Sequence, residues 1–307
     1  MKSIMYHYVR EPSEELPYFK FLNVDDFKQQ LDFFEKEEGF VSRDDFIRAF
    51  ETGETYNGVV LTFDDGFKDH FEYVLPILRE RGLWGVFYIP TGPFVNKSIL
   101  NVHRIHLLLG TYGGKRIFDA LTGKLEDDML THKDIKEFTT NTYDKQDNDA
   151  YTKMVKRILN YYIGYEFQGP VVIELMKEFL NEDELIKDFY VSQEEIKKMH
   201  DEGMIVGSHT VNHPVMSKLS DDEQRNEVAD SFGFLDGATG GLQIRTFCYP
   251  YGGFHSFNEQ SEKILIQNGC KFAFNVESRS IEPADLLDRP TALPRYDCNE
   301  FPHGQCR

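Results

Sequence analysis

The stretch VVLTFDDGF, residues 59–67, decides the fold. Its first five residues, Val59, Val60, Leu61, Thr62 and Phe63, are apolar or β-branched without a break. That is the pattern of a strand buried on both faces, at the centre of a parallel sheet rather than on its surface. Asp64 and Asp65 therefore stand where the strand ends, with Gly66 behind them. Asp and Gly favour turns and Asp can cap a following helix, so this stretch by itself suits an ordinary turn as well as it suits a site.

The flanking sequence repeats the strand and helix alternation. In FKDHFEYVLPILRERG, Phe71, Val74, Leu75 and Leu78 recur at helical spacing, and Gly82 is a natural residue to end that helix. Residues 83–89, bounded by Pro90 and Gly92, read as the next buried strand. Ser192 with Glu195, Ser220 with Glu223 and Ser256 with Glu259 have the spacing of capping boxes and predict three helix starts. Short apolar runs at 204–206, 244–249 and 271–276 lie between and after them, a β-α-β-α-β succession. Nearer the start, residues 3–9 read as a strand, and Asn23 caps a predicted helix carrying Phe27, Leu31 and Phe34. Residues from about 95 to 190 carry many charges and amphipathic runs such as VHRIHLLL but little strand signal. We read them as a helical insertion that covers one face of the core, within a single α/β domain spanning residues 1–307.

Composition narrows the partners. A chain of 307 residues with 40% hydrophobic content can bury a large core. A formal charge of −18 lacks the basic footprint that nucleic acid or an anionic membrane requires. No signal-peptide core and no apolar run long enough for a transmembrane segment is seen, so the expectation is a cytoplasmic protein. Cys248, Cys270, Cys298 and Cys306 lack CxxC spacing and are expected to be reduced. Oligomeric state is left open by the composition.

Three further segments carry chemistry. GMIVGSHTVNHPVMSKLS places His209 and His213 four residues apart just beyond a predicted strand, a spacing that lets both imidazoles face one point. Pro214 disfavours helical geometry at His213, so a short turn is expected there. Strand C-termini of parallel α/β folds share one face, so Asp64, Asp65, His209 and His213 all map to it. One carboxylate with two neutral imidazoles suits a divalent ion such as zinc, and the second carboxylate can accept a proton from a water on that ion. IRTFCYPYGGF fits either a Pro-Gly turn or a rigid loop that brings a backbone N–H to a developing oxyanion. LLDRPTALPRYD offers Arg289 and Arg295, either of which could orient the free aspartate and lower its pKa. His70, His103, His106, His132, His200 and His255 are read as surface or packing residues.

With these residues in hand, the sequence resembles the polysaccharide deacetylase family, carbohydrate esterases with a NodB homology domain. TFDDG is similar to the family's first motif, SHTVNH to its second and FCYPYG to its third, in the family's order. The resemblance implies an irregular (β/α) barrel of about seven strands, and hydrolysis of an N-acetyl group on an amino sugar or glycan. It implies Asp64 as general base, Asp65, His209 and His213 as ligands of a divalent ion (Zn2+ first, with Co2+, Ni2+ or Fe2+ as options), and the Tyr251 backbone N–H as oxyanion donor. Many members carry Arg where this chain has Cys248; Arg295 is the expected substitute. The family's acid histidine follows an L-x-H pattern for which this chain offers only FPH, ending at His303. Some members begin with a strand similar to MYHYV and supply the acid from there, which makes His7 the first candidate and His303 the second. A non-catalytic glycan-binding protein on the same fold is the alternative. An Fe(II) oxygen-activating enzyme shares the two-His, one-carboxylate set.

Overall fold

In the computed structural model, which describes residues 1–140, 142 and 148–306, seven parallel strands form one curled sheet. They are β1 (Lys2–Tyr6), β2 (Val59–Asp64), β3 (Val86–Ile89), β4 (Ile205–Ser208), β5 (Thr246–Cys248), β6 (Phe272–Phe274) and β7 (Tyr296–Asp297). Their spatial order is β6-β5-β4-β3-β2-β1-β7, and every pairing is parallel. The segment entering β7 also bridges β6, through Leu293 and Phe274, so one short piece of chain joins the two ends of the sheet. The result is the (β/α) barrel expected from the sequence, with all strand C-termini at one end.

Period-two alternation sorts the strands' side chains. Ile4, Tyr6, Leu61, Phe63, Phe87, Ile89 and Val206 face an outer helix layer that includes α1 (Val24–Glu37), α3 (Leu75–Glu80) and α4 (Gln193–Asp201). Met1, Val60, Val86, Tyr88, Ile205, Cys248 and Phe274 form a second cluster on the other face, joined by Phe46 and Ala49 of α2 (Arg43–Thr52). Thr62 and Asp64 fall in the same row of β2 as Val60, and all six residues of β2 are buried.

Capping follows the sequence at α4 and at α5 (Asp221–Thr239), where Ser192 with Glu195 and Ser220 with Glu223 form complete boxes. The third helix start differs. α6 (Glu259–Gln267) is capped by Asn258 with Ser261, not by Ser256 with Glu259. Ser256 instead bonds the Gly253 carbonyl, and Phe257 is buried with its ring stacked 3.8 Å from that of Tyr249. The chain cannot turn into a helix until Phe257 is seated, and Asn caps as well as Ser. The helix after Gly66 also opens unexpectedly, with a π-helical turn over His70–Val74 ahead of α3. Pro76 lacks the N–H that a regular turn would direct to the Glu72 carbonyl.

The chain forms two compact units. The first, Met1–Glu11, Phe21–Asn96 and Asp188–Arg307, holds the barrel; the second is Pro12–Lys20 with Lys97–Lys187. The second unit is helical, and Ile105, Leu108, Ile117, Val155, Leu159 and Val172 are buried in its own core. The short Pro12–Lys20 piece, which the sequence did not mark, joins that unit through Tyr18 N–H to the Gly110 carbonyl at 2.8 Å. Gly110 has to be glycine there, since a Cβ would stand 2.3 Å from the Phe19 ring. Among the described residues no helix is long and apolar enough to cross a membrane.

Candidate active site and metal centre

Asp64 is the last residue of β2, and alternation carries its side chain to the face of Val60 and Thr62. Arg295, beside β7, meets it edge-on: Nη1 donates to Oδ1 at 2.9 Å and Nη2 to Oδ2 at 2.8 Å. The same guanidinium donates to Thr62 Oγ1 at 3.0 Å, the Asn275 carbonyl at 3.3 Å and Cys248 Sγ at 2.9 Å. Both side chains are almost wholly buried. Burial pushes the Asp64 pKa up, but the charge and hydrogen bonds of Arg295 outweigh it and bring the carboxyl down to about 2. Arg289, the other candidate, goes elsewhere. Its guanidinium holds Glu262, with Nη2 to Oε1 at 2.6 Å.

Asp65 leaves the strand with φ 83° and faces the two histidines. Its Oδ1 lies 3.5 Å from His209 Nε2 and 3.4 Å from His213 Nε2. Ligand atoms each about 2.1 Å from a tetrahedral zinc stand about 3.4 Å apart, so both separations from Asp65 have the length that such an ion needs, and the three donor atoms lie within 4.8 Å of one another. His209 Nδ1 donates to the Cys248 carbonyl at 2.8 Å, which fixes the tautomer and leaves Nε2 directed at Asp65. Burial lowers the pKa of His209, against the opposing pull of Asp64 and Asp65, and keeps it in the neutral form that a ligand requires. A second set of donors, Asp64, His209 and Cys248, is also close enough to bind an ion. The Arg295 guanidinium already sits among them, and burial holds the Cys248 thiol protonated, so that set is not a cation site.

The histidine pair is not on a helical turn. Thr210 and His213 have φ of 66° and 56°, so the segment doubles back through two left-handed residues. Tyr251, with φ 64°, brings its ring 4.9 Å from that of His213. Gly252 follows with φ 56°, where a Cβ would strike Val276 at 2.2 Å. A left-handed conformation costs a non-glycine residue about 1–3 kcal/mol, and the gathering of four such residues around one point marks a strained, over-determined site.

The histidine loop is held by the Thr91 and Gly92 N–H groups, which donate to the Thr210 and Val211 carbonyls at 3.1 and 2.8 Å, and by Glu227 on α5. Its Oε2 accepts from the backbone N–H of Val211 at 2.7 Å and Asn212 at 2.8 Å, and Oε1 accepts from the Asn212 side chain. Sequence reading missed Glu227, because a Glu on a polar helix face carries no local signal of what it reaches. Replacing it with Ala is expected to weaken divalent-metal affinity about 10- to 100-fold with the fold retained. Zinc competition against a chelator, with circular dichroism as control, measures this; unchanged affinity would show that the loop holds without Glu227.

His7 stands one step beyond Tyr6, which makes the last pairing with β2, to Phe63, the residue before Asp64. It is half-buried and near enough to Asp64 that a positive charge on it would lower the Asp64 pKa. His303 is exposed in the C-terminal turn, where the neighbouring Pro302 carbonyl is bound by Gln30 of α1.

Two carboxylates and two imidazoles at the C-terminal end of a parallel barrel define a barrel protein with a candidate metal centre at its strand ends. The chain matches the polysaccharide deacetylase family over residues 53–273 and belongs to it. His7 and Arg295 lie outside the matched span. No curated protein matches the sequence. Among solved structures, the fold is similar to the Streptococcus pyogenes deacetylase PplD in complex with acetate. That likeness has a TM-score of 0.58 at 20% identity and covers 97% of this chain and 91% of that one. IcaB from Ammonifex degensii is similar with a TM-score of 0.57 at 18% identity, covering 96% and 90%. The de-N-acetylase from Aggregatibacter actinomycetemcomitans has a TM-score of 0.54 at 14% identity, covering 96% and 93%.

Proposed function

We propose that the protein is a metal-dependent N-deacetylase acting on an N-acetylated amino sugar of a glycan or glycan precursor. One observation carries this reading: the close triangle of Asp65, His209 and His213 lies beside an ionised aspartate that Arg295 holds in place. Zinc suits the donor set of two imidazoles and one carboxylate best, with Co2+, Ni2+ and Fe2+ as alternatives. When bound, such an ion supplies Lewis acidity and lowers the pKa of water to about 7.

The remaining work falls to the chain. Asp64, ionised at any pH above about 3 on the strength of Arg295, accepts the proton that water gives up as it attacks the acetyl carbon. The Tyr251 backbone N–H, aimed by its left-handed conformation, donates to the oxygen that gains charge. His7 gives a proton to the departing nitrogen, because an amine leaves poorly as an anion. A sugar-binding protein without chemistry has no need of a buried ion pair at Asp64, and the presence of that pair favours the enzyme.

The test is metal content of gently purified protein together with acetate release from N-acetylglucosamine oligomers. Near-stoichiometric divalent metal and turnover are expected in the wild type, and both should vanish in His209→Ala/His213→Ala. Protein that takes up no zinc, cobalt or nickel on reconstitution would overturn the proposal.

A further inference from the structure

Strand β1 stops three residues earlier than its sequence suggests. Residues 3–9 read as one strand, yet the ladder with β2 ends at Tyr6, and the chain re-forms a short pairing only at Val9–Arg10. The His7 carbonyl at that break is met by a side chain instead of a strand: His70 Nε2 donates to it at 2.7 Å. His70 is wholly buried on the outer face of the sheet, with ring centroids 5.6 Å from Phe63, 5.7 Å from Phe67 and 5.9 Å from Phe87. Burial drives its pKa down to about 4, against the pull of the His7 hydrogen bond, Asp65 and Asp64. A neutral imidazole has one N–H, and a carbonyl can only accept, so the proton is on Nε2. Nδ1 has no hydrogen-bond partner among the described residues. A phenylalanine would fill this cage without burying two nitrogens, so the bond to His7 is the polar work the imidazole does there.

We propose that His70 is a positioning residue for His7: it takes the place of the missing strand partner, anchors the His7 backbone, and so holds that imidazole at the strand end near Asp64. The inference rests on the reading of His7 as proton donor. Metal binding and the Asp64–Arg295 pair do not depend on it.

The test separates proton donation from general damage. N-acetylglucosamine oligomers release an amine that must be protonated, whereas 4-nitrophenyl acetate releases a stable anion without help. His70→Phe is expected to lower kcat on the oligomers about tenfold, since a small misplacement of a reacting group costs up to about 10²-fold. KM, metal content and ester hydrolysis should stay unchanged, and His70→Gln, which restores an N–H donor, should recover most of the loss. In a His7→Ala background His70→Phe should add nothing. An oligomer rate untouched by His70→Phe, or an equal fall on ester and amide, overturns the proposal. An oligomer rate untouched by His7→Ala overturns the assignment of His7 itself. Nitrogen NMR of the wild-type imidazoles reads the bond without any variant or turnover: His70 should be neutral with its proton on Nε2, and a proton on Nδ1 would refute the arrangement.

Discussion

Replacing Asp64 with Asn is expected to lower acetate release about 10²- to 10⁴-fold, the range over which a positioned general base acts. Zinc content should stay near that of the wild type, because in the proposed site Asp65, His209 and His213 would hold the ion without Asp64. Asn is isosteric and keeps one acceptor for Arg295, so the loss should appear in kcat before it appears in folding. Single-turnover acetate release, metal analysis and thermal melting of the same preparation check this. Retained turnover would move the base to another residue; lost metal would place Asp64 in the first coordination sphere instead of Asp65.

Replacing Arg295 with Met is expected to cost about 3–5 kcal/mol of stability, the usual penalty for removing one partner of a buried ion pair. Asp64 would then be a buried carboxylate that has lost its guanidinium and keeps the Cys248 thiol as a donor at 3.4 Å. The pH dependence gives the sign. In the wild type the Asp64 pKa lies near 2, below its ordinary value of 3.8. Its stabilising contribution is therefore full above about pH 4 and is lost as pH falls through 2, about 2 kcal/mol in all. In the variant the pKa of the unpaired carboxyl rises, so the group destabilises at neutral pH and is relieved by acid. Urea unfolding at neutral and at mildly acidic pH should show the two proteins converging as the pH drops. A gap that stays constant would mean that the guanidinium stabilises through packing, not through the charge on Asp64.

The barrel was legible because its strands are buried on both faces, and such strands print uninterrupted apolar runs that local reading can find. The residues 59–63 and the runs near 204, 246 and 272 are of this kind. The placing of Asp64, Asp65, His209 and His213 at one end of the barrel was legible for a related reason: they stand at or within a few residues of those strand ends, and parallel strands end on one face. Where the reading slipped, a tertiary contact had overruled a local preference. Phe257 seats on Tyr249 and moves the cap of α6 to Asn258. The two histidines meet through left-handed residues that no periodicity announces.

Arg295 shows the limit from the other side. The residues by themselves left it level with Arg289 and only the family resemblance favoured it; the joining of β7 to both β1 and β6 is what brings it beside Asp64 and leaves Arg289 with Glu262. Glu227 and His70 gave no signal at all, because each acts on a backbone group far away in sequence. The sequence by itself thus determined the order of strands and helices and which residues stand at the strand ends, since hydrophobic periodicity and turn chemistry are local. The tertiary structure alone decided how Arg295 reaches Asp64, how the histidines close on Asp65 and what anchors His7, since those depend on long-range closure of the sheet and on hydrogen bonds between distant segments.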